Sequence, residues 1–456
     1  MERRNAWKAY DEKDLAQLME LGKQYRRFLD NSKTERECTK EAIRIAELHG
    51  YRDLESMESL KPGDRVYVNT MKKAVQFYII GSKPVEDGIN IIGAHIDSPR
   101  MDIKQNPMYE DSDLAYLDTH YYGGIKKYQW VALPLSLHGV VAKKDGTVVD
   151  VVVGEAEDDP VVGVSDLLIH LSAKQLEKKA SVVIEGEDLD VIVGSIPLKG
   201  EDKDAVKANV LAILKEKYDI EEEDFLSAEI EVVPAGKSRD FGLDRSMIIG
   251  YGHDDRVCAY AEIEAMMNIV DIPETTCCCI LADKEEIGSV GATGMQAAYF
   301  ENAVAEIMDK MGCFGDIKLR HALARSRMLS CDVSAGYDPS YASAFDRKNA
   351  AFLGRGVCFN KFTGARGKSG SNDANAEYIG KLRRIMDDAG VAFQTAEIGK
   401  VDEGGGGTIA YICALYGMEV IDSGVPVLSM HAPWEIISKA DLYEAAKAYN
   451  AFLLNA

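Results

Sequence analysis

A chain of 456 residues exceeds what one hydrophobic core ordinarily serves, so two domains are expected. With 46% hydrophobic and 28% charged residues it has the texture of a globular protein with a large core. Its 53 basic and 75 acidic residues leave a formal charge of −22, which argues against a nucleic-acid backbone or an anionic membrane as partner. The nine cysteines are scattered and odd in number, with no CxxC pair, and read as free thiols of a reducing cytoplasm. Residues 1–7 lack the apolar core of a signal peptide. No uninterrupted apolar stretch approaches the ~18 residues that span a membrane.

Residues 11–30 and 34–49 carry the periodicity of amphipathic helices, with Ser32-Lys33-Thr34-Glu35 as a capping box and Gly50 as a stop. Short strands are expected at 65–69, 75–80 and 89–93, the last running into His95-Ile96-Asp97. From 101 to 247 the texture changes. Val-rich strands at 148–153, 181–184 and 229–233 mix with charged helices at 165–177 and 204–218. This segment shows no paired carboxylates or histidine cluster, so it reads as an inserted, β-rich mixed α/β domain with a structural or interface role. Beyond 247 a helix over 254–270 precedes buried strands at 276–282, 328–331 and 425–429, with helices near 292–311, 374–389 and 439–454. The expected fold is α/β: a mostly parallel sheet covered by helices on both faces, built from 1–100 and 248–456, with 101–247 inserted.

In open α/β sheets, ligands gather beyond the carboxyl ends of strands. The apolar run 276–282 leads into Asp283-Lys284-Glu285-Glu286-Ile287-Gly288-Ser289. Two carboxylates crowded into one cleft repel; a divalent metal compensates, leaving one glutamate as ligand and the other as base. Four more expected strand ends carry metal-competent residues: His95 with Asp97, Asp254 with Asp255, Asp332, and His431. One bridging carboxylate, plus a histidine and a carboxylate for each ion, would hold two metals about 3.5–4 Å apart. Such mixed donors suit zinc. Each piece alone is commonplace, since an Asp before a helix is usually a cap and a Glu-Glu pair usually solvated surface. Their recurrence at strand ends carries the inference.

Taken in order, Gly93-Ala94-His95-Ile96-Asp97-Ser98-Pro99, Asp283 to Ser289, Cys331-Asp332 and Ser429-Met430-His431 resemble the aspartyl aminopeptidase family of dinuclear zinc enzymes, over essentially the whole chain. The resemblance implies that His95, Asp254 and Asp332 hold one metal, and Asp254, Glu286 and His431 the other. Glu285 would be the general base on the attacking water, and Asp97 would orient the His95 imidazole. The family more often has Leu-Asp-Asn where this chain has His253-Asp254-Asp255, so choosing Asp254 over Asp255 as the bridge rests on register. The resemblance also implies that the inserted domain mediates assembly into a closed dodecamer built from dimers and lends a histidine to the neighbouring active site. His170 matches that position, although by itself it reads as a half-buried helix histidine. Lys361 falls where the family places a lysine for an acidic first residue; its plain reading is a surface lysine beside a strand. The segment 364–372 departs from the family pattern, which leaves the strictness of that preference open.

The run Glu403-Gly404-Gly405-Gly406-Gly407-Thr408 either permits close backbone approach to a peptide or is a flexible surface loop. The expected activity is that of a cytoplasmic metallo-aminopeptidase acting on peptides with a free N-terminus, Asp or Glu first by preference. It would use two divalent ions per subunit, zinc above all, with cobalt and manganese also compatible. Two rivals stand beside it: a carboxypeptidase or amidohydrolase acting on small amides with the same metal site, and a catalytically silent shell or cargo protein.

Overall fold

Every residue of Thr276–Ala282 is buried, so this strand has no solvent face. Such a strand needs packing on both sides. Its side chains alternate between two apolar clusters, Cys277, Cys279 and Leu281 in one, Cys278, Ile280 and Ala282 in the other. The first cluster takes Phe28 and Leu29 from the helix Glu12–Asp30, Val257 and Ile263 from His253–Met267, and Tyr449 and Phe452 from Lys439–Asn455. The second takes Phe300 and Ile307 from Tyr299–Lys310 and Leu319 and Leu323 from Asp316–Arg325. The computed structural model describes residues 4–364 and 367–456. All nine cysteines are free thiols.

The chain divides into two compact units, one of Met1–Asp97, Ser238–Met430 and Glu435–Ala456, the other of Ser98–Lys237 and His431–Trp434. The first unit is built on a nine-stranded sheet in the order Arg52–Asp53, Arg65–Thr70, Ala74–Ile79, Thr276–Ala282, Ile89–His95, Arg327–Ser330, Glu419–Gly424, Val357–Asn360, Phe393–Thr395. The sheet is mixed. The four strands from Thr276–Ala282 to Glu419–Gly424 run parallel, while Ala74–Ile79 and Val357–Asn360 join them antiparallel on either side. A separate five-stranded sheet holds Arg239–Phe241, Met247–Gly250, Glu435–Ser438, Pro426–Leu428 and Ser334–Ala335. The strands expected to present Asp254 and His431 thus lie in this second sheet, a difference from the single sheet read in the sequence.

Three local expectations shift. The second helix, Glu35–Leu48, is capped by Thr34, whose hydroxyl accepts from Glu37 N at 3.1 Å. The Glu37 carboxylate reaches back to Lys33 N at 2.9 Å. The box closes on Glu37 because Glu35 is buried and paired with Lys73 at 3.4 Å. The helix expected near 292–311 begins only at Tyr299, since 288–298 is folded into turns, with Gln296 N bonded back to the Ser289 carbonyl at 3.2 Å. His253–Met267 is helical except at Asp254 and Asp255, whose backbones are non-helical and joined by a cis peptide.

The second unit carries a six-stranded antiparallel sheet: Val148–Val153, Leu135–Ala142, Ala228–Pro234, Arg100–Asp111, Leu114–Tyr122, Val191–Gly194. Its helix Ala205–Tyr218 forms as expected. The helix expected at 165–177 does not: Ile169–Leu171 is a 3-10 turn and Ala173–Leu176 one helical turn. The strand expected at 181–184 is instead a 3-10 turn at Ala180–Val182. The first segment leaves its apolar side chains exposed, so no buried face organises a longer element; in the second, Val182 is exposed and Ile184 is buried. Among the described residues no helix is long and apolar enough to cross a membrane.

Glu419–Gly424 approaches the turn after Arg327–Ser330 so closely that a Cβ on Gly424 would sit 1.7 Å from the Asp332 carbonyl oxygen. Gly424→Ala is expected to cost about 2 kcal/mol or more by forcing backbone apart, read as a lowered urea midpoint. A midpoint equal to wild type would show that the strand can yield there.

Candidate metal centre

The three central parallel strands end level with one another. Ala282 pairs with His95, and Ser330 with Gly93. Residues that close or follow these strands therefore meet: His95 is the last residue of its strand, Glu285 and Glu286 stand in the 3-10 turn Glu285–Ile287 after the cysteine strand, and Asp332 lies two residues past Ser330. Lys284 takes a left-handed conformation, φ 67°, which turns the chain sharply so that the glutamate pair folds back toward the strand ends.

His95 is buried at the hub. Its Nε2 lies 3.1 Å from Asp254 Oδ1, 3.9 Å from Asp332 Oδ1 and 4.0 Å from Glu285 Oε2. Its Nδ1 faces Asp97, 3.0 Å from the carbonyl oxygen and 3.3 Å from Oδ1. The same Asp97 carboxylate accepts from Glu285 N at 3.1 Å and Glu286 N at 3.2 Å. One buried carboxylate thus fixes both the imidazole and the glutamate turn. Donor atoms of His95, Asp254 and Asp332 lie within 4.8 Å of one another, as do those of His95, Glu285 and Glu286. Of the adjacent aspartates, Asp254 faces His95, while the wholly buried Asp255 carboxyl neighbours the Cys258 thiol.

Charge decides what the cluster can hold. Five carboxylates, Asp97, Asp254, Glu285, Glu286 and Asp332, surround one imidazole. Burial alone would lower the His95 pKa, but Asp254, Asp97 and Glu285 outweigh it and hold the imidazole well above its usual range. Burial, then repulsion from Glu285, pushes the Asp332 carboxyl well above the carboxylate range. A divalent cation held by His95, Asp254 and Asp332 would relieve both effects, favouring a neutral imidazole and ionised carboxylates. The nitrogen and oxygen donors fit zinc.

His431 belongs to the second unit, where its Nδ1 is 2.8 Å from the Gly124 carbonyl oxygen. His170 sits exposed in its 3-10 turn. Lys361 follows the end of Val357–Asn360 and pairs with Asp373, which Lys368 also holds at 3.0 Å. Within the segment 364–372, residues 365 and 366 lie outside the described residues. Sequence reasoning missed Glu435, a buried strand carboxylate that accepts from Asp254 N at 3.0 Å. Its one signal was a lone acid next to the apolar pair Ile436-Ile437.

The model of the aminopeptidase I zinc metalloprotease (M18) family matches residues 28–453. A probable M18 family aminopeptidase 1 of Clostridium acetobutylicum is 60% identical over 100% of this chain and 98% of its own. The crystal structure of an M18 aminopeptidase from Thermotoga maritima superposes with a TM-score of 0.96 at 44% identity, covering both chains fully. At 18% identity and a TM-score of 0.76, over 94% of this chain and 95% of the other, the S. cerevisiae mApe1 dodecamer shares the fold. The chain belongs to the M18 family of zinc aminopeptidases, hydrolases of peptide bonds that include the aspartyl aminopeptidases.

Because Asp97 holds both His95 and the glutamate turn, Asp97→Ala is expected to weaken zinc affinity by about 10–100-fold, measured by competition with a chromophoric chelator. An unchanged affinity would remove Asp97 from the site's support.

Proposed function

We propose that this protein is a two-metal aminopeptidase that removes N-terminal residues, Asp or Glu by preference, from peptides. The observation that carries the reading is the convergence of His95, Asp254 and Asp332, with Glu285 and Glu286 beside them, at level strand ends. His95, Asp254 and Asp332 would hold one ion, and Asp254, Glu286 and His431 the other. Zinc is the expected occupant, with cobalt and manganese compatible. Bound ions there acidify the attacking water and offset the charge that builds on the scissile carbonyl oxygen.

The chain's own groups do the rest. Glu285 takes a proton from the water as its oxygen bonds to the carbonyl carbon, then delivers it to the leaving amine as the C–N bond breaks. Asp97 keeps the His95 ring and the glutamate turn aligned. Lys361 offers its charge to an acidic first side chain, whose carboxylate would take the place of Asp373.

The fold serving this chemistry is a sheet flanked by helices on both faces, with the intervening 101–247 region as a dimerisation domain. Leu167, Leu168, Ile169 and Leu171 are 46, 53, 69 and 68% exposed, an apolar strip around His170 that favours coverage by a second copy. We infer that dimers assemble into a dodecamer, as in the yeast neighbour, and that His170 reaches the adjoining centre. Nine free thiols favour a reducing cytoplasm.

The deciding experiment is a peptide panel varied only at the first residue, free or N-acetylated, with and without chelator. Cleavage confined to free amines, fastest for Asp and Glu and lost with chelator, is expected. Cleavage of acetylated peptides would favour the amidohydrolase, and a protein that binds no metal would favour the silent shell. Glu285→Gln should abolish turnover at full metal content, whereas Glu286→Ala should lose one metal equivalent by elemental analysis. Identical defects in the two would sink the division of roles. His170→Phe should lower kcat without metal loss; wild-type kinetics would return it to a surface histidine.

A further inference from the structure

Asp422 is a buried carboxylate that the chemistry above leaves unused. It lies in Glu419–Gly424, in register with Ser330 on one side and Asn360 on the other. Ser330 is two residues before Asp332, and Asn360 immediately precedes Lys361. Asp422 Oδ1 accepts from Thr408 Oγ1 at 2.7 Å and from Ser330 Oγ at 3.2 Å. Burial raises its pKa to about 6, so at neutral pH it is ionised and these hydrogen bonds are charge-assisted.

Thr408 closes the glycine-rich loop 403–407, and its Oγ1 also accepts from Ala410 N at 3.3 Å. Within the loop, Gly406 N donates to the Thr363 carbonyl at 3.1 Å, two residues past Lys361, while Glu403 N and Gly404 N both donate to the Lys400 carbonyl at 3.0 Å. A Cβ on Gly406 or Gly407 would meet nothing within 4 Å, so the backbone there is bare. Ile409, the residue after Thr408, reaches within 3.6 Å of where a Cβ on Gly93 would stand. The Thr408 end of the loop is therefore tied beside the strands that lead to His95, Asp332 and Lys361.

We propose that Thr408 and Asp422 form a latch that seats the 403–407 loop, making the bare backbone of Gly406 and Gly407 the wall along which the substrate's main chain lies. Neither residue touches the reacting atoms; both are positioning residues. A loop this rich in glycine loses much conformational entropy when ordered, so an unlatched loop must be ordered by the peptide itself. That cost falls on binding, and it rests on the aminopeptidase reading above.

The test compares Thr408→Val, which keeps shape and removes the hydroxyl, with Thr408→Ser, which keeps the hydroxyl, in the full-length zinc-loaded protein. In T408V, KM for a pentapeptide is expected to rise about tenfold with kcat within about twofold. Metal content stays at the wild-type value, and subtilisin cuts within 403–407 faster. T408S returns KM and the cutting rate to within about twofold of wild type. The latch is overturned if T408V matches wild type in KM and cutting rate. It is also overturned if T408V and T408S lose thermal stability and metal alike, which marks Thr408 as structural only. Should wild type itself cleave no peptide, the aminopeptidase reading fails, and the subtilisin rates alone decide the latch.

Discussion

Like charges gathered in a low-dielectric pocket cannot stay ionised without compensation, and this constraint governs the strand ends of the larger unit. Five carboxylates around His95 leave too much negative charge for one imidazole to balance. The protein could have relieved the strain by spacing the acids apart. The parallel register does the opposite: Ala282 opposite His95 and Ser330 opposite Gly93 bring the glutamate turn and Asp332 to one level. A sheet so arranged makes sense for a zinc enzyme's metal centre, and the rest of the unit holds the acids together there.

That holding is done by backbone as much as by side chains. Asp97 accepts two main-chain N–H groups from the glutamate turn and fixes the His95 ring, so an error in one displaces the other. Glu435, on the strand that pairs with Met247–Gly250, restrains Asp254 by accepting from its N–H. Gly424 lets its strand lie against the Asp332 carbonyl where any side chain would collide. Each support acts through a backbone group or through the Nδ1 side of the imidazole, and not through the carboxylate oxygens that face the cluster.

The legible and illegible parts divide along physical lines. Thr276–Ala282 was readable because a strand buried on both faces must be apolar at every position, and the glutamate pair stood out because it broke that run. His95 and Asp332 were readable because they follow strands of the same kind. Asp254 and His431 were placed at strand ends correctly but on the wrong sheet, since local sequence does not say which sheet a short apolar strand joins. The 165–177 helix failed because helical periodicity predicts a helix only where its apolar face is buried, and here that face is exposed within the isolated chain. Glu435 and Asp422 were invisible for another reason. Glu435 bonds to Asp254, 181 residues away, and Asp422 to Ser330, 92 away, as well as to Thr408, so their meaning exists only after the strands have paired.

Asp422 also clarifies why the glycine loop need not be a loose surface segment. Glycine makes close main-chain approach possible but supplies no order of its own. A threonine at the loop's end and a buried acid on the neighbouring strand supply it, through a 2.7 Å hydrogen bond out of water's reach. Because Asp422 also grips Ser330 on the strand that presents Asp332, any shift of the loop is felt at the same strand end that crowds the carboxylates. On the proposed latch, the place of the peptide and the place of the metal would be set by one piece of sheet.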